Sequence, residues 1–324
     1  MTIKTVGLKK HYEIKSNAAL FASDTVYAVN GVDLTIADNE TYGLVGESGS
    51  GKSTLGRLIL KLLEPTSGKI YKDGLDLGTL RKHDLRSIRK DMQIVFQDPY
   101  SALDHRMTIE NILREPLLIH DITSPLDFRK EAKRLLEMVG LSERDMKKYP
   151  REFSEGQRQR ISIARALATK PKFIVCDEPV SSLDVSIQSQ ILNLFMDIKR
   201  EYSLSYLFIS HDLGMIRHVS DRIAVMYLGR IVEKGLCEDV FTHPAHPYTK
   251  ALISASLIPG PGCVQNRIET SGGIPGSMDL PKGCGFYDRC QIRTNVCRYK
   301  APVEYMLDKD HTVSCHNHTA GGDI

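Results

Sequence analysis

The chain has 324 residues, 41% apolar and 26% charged, which suits a soluble globular protein with one large core or two domains. Its 43 Lys and Arg against 40 Asp and Glu leave a formal charge of +3, too little for the basic field of a nucleic-acid binder. No run of about 18 uncharged apolar residues predicts a membrane span, and the N-terminus lacks the succession of charged, apolar and small residues that marks a secretory leader.

The first predicted elements are β-rich. Lys9-Lys10-His11-Tyr12 places an aromatic side chain on a strand, where Tyr12 fits ordinary packing as well as a ligand contact. Residues 14–25 are polar and read as an exposed insertion. Residues 26–36 alternate apolar and polar side chains around Asn30-Gly31, a dipeptide that predicts a hairpin turn. Residues 41–45 read as a short buried strand. Gly46, Glu47, Ser48, Gly49, Ser50, Gly51, Lys52, Ser53 and Thr54 follow, matching the phosphate-loop pattern G-x-x-x-x-G-K-[ST]. From residue 53 to 63, Leu55, Leu58, Ile59 and Leu62 recur at helical spacing. In such a strand–loop–helix the glycines let successive N–H groups face one concavity, and the helix N-terminus adds partial positive charge. Lys52 suits the β- and γ-phosphates of a nucleotide, and Ser53 suits Mg²⁺.

Pro65-Thr-Ser-Gly68 ends this helix, a further β-rich piece with an Asp73-Gly74 turn follows, and residues 82–90 form a basic, solvated helix face. Residues 92–96 predict a buried strand ending at Gln97, a position from which an amide can reach a ligand at the sheet edge or simply face solvent. Residues 100–170 are predominantly helical in pattern. Ser154 caps a helix whose first turn holds Gly156 and Gln157, a second anion-binding helix end in a chain that already has one. Residues 172–176 form a continuous apolar run, as in a strand covered on both faces, and end in Asp177-Glu178. A strand-end Asp177 suits Mg²⁺, and Glu178 suits polarising a water for in-line attack. A polar connector through Asp184 leads to a helix over 187–198. The strand over 206–209 then ends at Ser210-His211.

The ordered set of Gly46–Ser53, Gln97, Ser154–Gln157, Asp177 and Glu178, Asp184 and His211 resembles the Walker A, Q-loop, signature, Walker B, D-loop and switch-histidine motifs of ABC-transporter ATPases over residues 1–240. The resemblance implies an α/β fold: a RecA-like P-loop core, an antiparallel β subdomain, a helical subdomain at about 100–165 and a small Cys-rich extension. It implies ATP and Mg²⁺ as ligands, with Mg²⁺ held through Ser53, Gln97 and Asp177. It further implies Tyr12 stacked on adenine, Glu178 as catalytic base and His211 as γ-phosphate sensor. Ser154, Gly156 and Gln157 would close over the nucleotide of a second ATPase chain. Glu155 departs from the commonest signature, which has Gly there, and is expected to point outward.

The tail makes the resemblance narrower. Residues 241–249, Phe-Thr-His-Pro-Ala-His-Pro-Tyr-Thr, resemble a stretch of the oligopeptide, dipeptide and nickel importer ATPases. After a linker rich in Gly and Pro over 259–283, Cys284, Cys290, Cys297 and Cys315 are spaced x5, x6 and x17. Four thiolates suit a [4Fe–4S] cluster or Zn²⁺. These gaps are wider than usual zinc pairs, while free or disulfide-linked thiols are a further alternative. In the subfamily such cysteines can hold a [4Fe–4S] cluster. Cys176, Cys237 and Cys263 read as packing residues. The expected role is ATP hydrolysis that powers peptide import from the cytoplasmic face of the membrane. The implied partners are a second, paralogous ATPase, two transmembrane permeases and an extracytoplasmic solute-binding protein, with no nucleic acid. Nickel, glutathione or sugar cargo, a soluble ABC ATPase acting on DNA or ribosomes, and a redox enzyme are the alternatives.

Overall fold

The computed structural model describes residues 1–15, 23–122, 127–256 and 281–318. The chain divides into two compact, discontinuous units. One comprises Met1, Ala37–Glu40 and Leu77–Ile209, and the other Thr2–Ile36, Thr41–Asp76 and Ser210–Ile324.

In chain order, β1 (Ile3–Lys15) and β2 (Ser23–Ile36) pair antiparallel, with Ile14 opposite Asp24 and Lys15 opposite Ser23. The described ends of the expected polar insertion are therefore strand, and residues 16–22 lie outside the described residues. Nor does Asn30-Gly31 make the expected turn. Leu8 pairs with Val32 and Lys9 with Asn30, so Gly31, at φ 81°, is the extra residue of a β-bulge. The long partner strand supplies more pairing than a local turn would, and the glycine's left-handed conformation is used within the strand instead. The fully buried β3 (Thr41–Val45) leads through the glycine loop into α1 (Lys52–Ile59). This helix stops short of the predicted residue 63, because Lys61 turns left-handed at φ 52°. β4 (Ser67–Lys72) pairs with β1, and β5 (Leu75–Asp76) with β4, giving a four-stranded antiparallel sheet in the order β2-β1-β4-β5.

The other unit follows: α2 (Lys82–Asp91), β6 (Met92–Val95), α3 (Pro99–Ala102), α4 (Ile109–Ile119), α5 (Phe128–Met138), α6 (Glu155–Leu167), β7 (Phe173–Asp177), α7 (Val185–Tyr202) and β8 (Ser205–Ser210). β6, β7 and β8 are parallel neighbours. Every residue of β7 and β8 is buried, which explains their unbroken apolar runs. The helices bury Leu113 and Leu117 of α4, Leu135 and Leu136 of α5, and Ile161 and Ala164 of α6. On α5, Arg134 stands off the buried face and grips Glu131 one turn back, at 2.6 Å.

Returning to the unit of β1 to β5, the chain adds α8 (Leu213–Val219), β9 (Arg222–Tyr227), β10 (Arg230–Leu236), α9 (Cys237–Thr242), α10 (Pro247–Ser256), α11 (Asn295–Tyr299), β11 (Tyr305–Asp308) and β12 (His311–Val313). β3 runs parallel to β9, with Val45 opposite Val225. β9 pairs antiparallel with β10, β10 with β12, and β12 with β11. The cysteine-bearing tail thus extends the sheet that carries the phosphate loop. Among the described residues no helix is long and apolar enough to cross a membrane.

Candidate nucleotide site

The glycine loop leaves the buried end of β3 and closes onto α1. Gly51 caps that helix at φ 104°, and a Cβ there would stand 1.9 Å from the Ala28 carbonyl oxygen of β2. Only glycine lets loop and strand approach this closely. Within the loop, the Ser50 N–H donates to the Glu47 carbonyl at 3.2 Å, and the Gly229 N–H donates to the Ser50 carbonyl at 2.9 Å. Lys52 is buried, and its ammonium donates to the carbonyls of Gly46 at 2.7 Å and Glu47 at 2.9 Å. A flexible cation is thereby held over a concavity lined by backbone, an arrangement able to receive phosphate oxygens. Ser53 and Thr54 are half-buried on the first turn of α1, while Ser48 and Gly49 are exposed at the loop's tip.

The same unit carries two more predicted residues. Tyr12 lies on β1 opposite Val26, 37% exposed, with the Lys10 ammonium 5.0 Å from its ring centre. His211 is exposed just after β8 and precedes Asp212, whose carboxylate accepts from the Met215 N–H and caps α8.

The parallel-stranded unit brings Gln97 and Glu178 together. The Gln97 side-chain amide, just beyond β6, donates to a Glu178 carboxylate oxygen at 3.1 Å. Asp177, the last residue of β7, is buried. Glu178 holds a left-handed backbone at φ 48°, unusual for a side chain with a Cβ, and its N–H donates to the Ile209 carbonyl of β8 at 3.0 Å. Strand pairing therefore holds the Glu178 backbone in place. Ser154 caps α6 reciprocally: its hydroxyl accepts from the Gln157 N–H at 3.3 Å, and the Gln157 side chain accepts from the Ser154 N–H at 3.0 Å. Gly156 lies against α7, where a Cβ would meet Ile187 Cγ2 at 2.7 Å. Glu155 is half-buried rather than fully outward, and Asp184 is exposed at the start of α7.

Among the described residues no three His, Cys, Asp or Glu side chains lie close enough together to hold a metal ion. The metal set expected of Cys284, Cys290, Cys297 and Cys315 is therefore not assembled. Burial is the main cause that raises the Cys284 thiol to about 11 and raises Cys290 and Cys315. None of the four is joined in a disulfide among the described residues, and the neighbouring cysteines add to the rise at Cys284. Cys176 and Cys237 are buried with raised pKa values, burial again the main cause, which suits packing. Cys263 lies outside the described residues.

Other partners of the loop come from the tail, and residue patterns alone did not point to them. The Glu47 N–H donates to the Tyr248 hydroxyl at 2.8 Å, and the Glu47 carboxylate takes both arms of the Arg289 guanidinium at 2.7 and 2.8 Å. Beneath them Glu233 accepts from the N–H groups of Ala245 and His246 at 2.7 and 2.8 Å and contacts His311 at 2.8 Å. Burial pushes the Glu233 carboxyl up, but its hydrogen bonds from His311, Thr249, Ala245 and His246 outweigh this and hold it below the ordinary value. The only local signal was the 241–249 stretch.

A strand–glycine loop–helix in one unit, and in the other parallel strands whose ends pair Gln97 with Glu178, define a P-loop nucleotide-binding protein. Residues 29–181 match the ABC transporter family model, and residues 232–297 match the oligopeptide/dipeptide transporter C-terminal region. Three relatives cover nearly the whole chain. A probable peptide ABC transporter ATP-binding protein of Sinorhizobium fredii is 44% identical over 97% of this chain and 89% of its own. The oligopeptide transport ATP-binding protein AppF of Bacillus subtilis is 43% identical over 95% of each. The dipeptide transport ATP-binding protein DppF of Haemophilus influenzae is 46% identical over 93% of this chain and 91% of its own. Among solved structures, a dimeric ATP-binding cassette in a post-hydrolysis state with ADP and Pi is 30% identical, with a TM-score of 0.65 over 72% of this chain and 98% of that one. CbiO1 of Clostridium perfringens, part of an ABC transporter complex, is 26% identical, with a TM-score of 0.62 over 74% of this chain and 90% of its own. The chain belongs to the ATP-binding proteins of ABC transporters.

Proposed function

We propose that this chain is the ATP-hydrolysing subunit of an importer for di- or oligopeptides. The observation that carries the reading is the phosphate loop, with Lys52 buried over its carbonyls. The peptide cargo is supported by the relatives named above and by the tail match. The loop N–H groups and Lys52 bind the β- and γ-phosphates of ATP. Tyr12 takes the adenine ring. Mg²⁺, when bound through Ser53, Asp177 and Gln97, would neutralise phosphate charge. Glu178, oriented by the Gln97 amide, accepts a proton as its water attacks the γ-phosphorus. The bond from that phosphorus to the bridging oxygen breaks, giving ADP and phosphate. His211 contacts the γ-phosphate.

Ser154, Gly156 and Gln157 complete the site of a second ATPase chain, with Asp184 at the junction. A dimeric cassette 30% identical to this chain supports the pairing. The partner is a paralogue, and two permeases and a solute-binding protein complete an assembly in which this chain is peripheral at the cytoplasmic face. In this reading residues 1–240 form the nucleotide-binding part, with its helical subdomain at 100–165, and residues 241–324 form the extension. A [4Fe–4S] cluster or Zn²⁺ on Cys284, Cys290, Cys297 and Cys315 belongs to the same reading. It rests on the chemistry of four thiols in one short stretch of chain, and iron, sulfide and zinc analysis of anaerobically purified protein tests it.

Affinity purification from detergent extracts tests the class. Two multispanning subunits and a second ATPase should co-purify, whereas ribosomes or DNA would overturn the reading. Proteoliposomes of the complex should take up labelled dipeptides on ATP addition, and uptake of nickel or glutathione with no peptide uptake would overturn the cargo.

A further inference from the structure

The tail holds Glu47 of the phosphate loop by two separate groups. Glu47 is the second residue of the loop. Its N–H is taken by the Tyr248 hydroxyl, its carbonyl by the Lys52 ammonium, and its carboxylate by Arg289. Arg289 is itself fixed. It is 8% exposed, it stands 5.7 Å from the Tyr227 ring centre and 5.6 Å from that of Phe286, and it reaches the Tyr227 hydroxyl at 3.4 Å. Those rings pack on one another and on Tyr248, with centroids 4.6–5.5 Å apart. An arginine with a planar fork, caged by aromatic faces, meets a carboxylate in the two-pronged geometry that only arginine offers.

The electrostatic consequence concerns the ligand. A carboxylate in the first residues of a phosphate-binding loop repels a triphosphate, and this repulsion is strongest where water is scarce. We propose that Arg289, a residue of the C-terminal extension, is a positioning residue of the nucleotide site, which neutralises and immobilises the loop carboxylate of Glu47 so that the loop can accept ATP. The role acts through Glu47 and not by contact with the nucleotide. A diagnostic pattern follows. Removing the arginine alone leaves an unneutralised carboxylate in the loop and is the most damaging change. Removing both charges restores binding.

The proposal rests on the reading of residues 46–54 as an ATP site, and the test separates the two. MgATP is titrated calorimetrically into the full-length chain and its variants, with thermal unfolding recorded for each. Wild type should bind; a wild type that does not bind MgATP overturns the nucleotide reading itself. Arg289→Gln should raise the Kd about tenfold. The double variant E47Q/R289Q should bind at least about threefold more tightly than Arg289→Gln and within about threefold of Glu47→Gln. Arg289→Lys keeps the charge and should bind more tightly than Arg289→Gln; it also serves if Arg289→Gln fails to fold, when it should bind less than about tenfold more weakly than wild type. With wild type binding, the proposal is overturned if Arg289→Gln lowers the melting temperature and leaves the Kd unchanged, if the double variant binds as weakly as Arg289→Gln, or if Arg289→Lys binds tenfold or more weakly than wild type.

Discussion

At the scale of single residues, the contact between Gln97 and Glu178 joins two strand ends into one hydrogen-bonded pair. Glu178 reaches it from a left-handed backbone held by β8. Glu178→Gln keeps the hydrogen-bonding shape and removes the basicity, so hydrolysis should fall about 100-fold or more while MgATP affinity is retained, as read by phosphate release and by titration. A second residue sets an acid limit. Burial pushes His246 from its ordinary 6.5 down to about 4, and its ring nitrogen Nδ1 accepts from the Tyr248 N–H at 3.0 Å. The folded value lies below the unfolded one, so unfolding takes up a proton. Stability is complete above about 6.5 and falls as pH drops toward 4, by about 3 kcal/mol in all. Glu233, depressed below its ordinary 4.5, adds a loss of the same sign at lower pH. His246→Asn keeps an acceptor for Tyr248 and cannot titrate there, so its melting temperature should fall less than that of wild type between pH 7 and 5. The placing of Gln97, Asp177 and Glu178 at strand ends was legible in the sequence, because each follows or closes a short apolar run. Arg289 was not, because its partner lies 242 positions away and no local pattern records that pairing.

Whole elements show where local signals compete with long-range pairing. Asn30-Gly31 carries a hairpin signal, yet β2 runs through it because β1 offers a partner along its full length. The β7 and β8 runs were read correctly, since burial on both faces leaves no alternation to misread. The start of α6 combines both kinds of information. Its cap is written locally in Ser154 and Gln157, but the need for Gly156 comes from Ile187 on α7, 2.7 Å from where a Cβ would stand. Gly156→Ala should therefore cost about 1–3 kcal/mol of stability by overpacking. The double variant G156A/I187A should regain part of the loss in melting temperature, because the second change removes the obstructing methyl group. If Ile187→Ala lowers stability equally in both backgrounds, the two helices do not meet in this way.

For the molecule as a whole, the extension carries part of the folding free energy. β12 continues the sheet beyond β10, Val313 sits opposite Glu233, and His311 meets the fully buried Glu233 carboxylate. A chain ending at Ser256 would lose these groups together with Arg289. Stripping a partner from a buried carboxylate costs about 3–5 kcal/mol. The shortened protein should melt well below full length in calorimetry and bind MgATP weakly. If it melted like the full chain and bound normally, residues 281–318 would be a mere appendage. Sequence pattern alone marked this region through four cysteines and suggested a metal. Its described part also holds an aromatic cluster, a buried carboxylate and a sheet edge, none of which the cysteine pattern recorded.

The distance along the chain between Glu47 and Arg289 also has a bearing on synthesis. A ribosome releases the glycine loop first and the arginine that grips it 242 residues later. Until then the growing polypeptide displays a loop whose carboxylate has no counter-charge from Arg289. Any product of a message cut short before codon 289 keeps that defect for good. If Arg289 positions the loop as proposed, nascent chains shorter than 289 residues should bind MgATP more weakly than chains that include it.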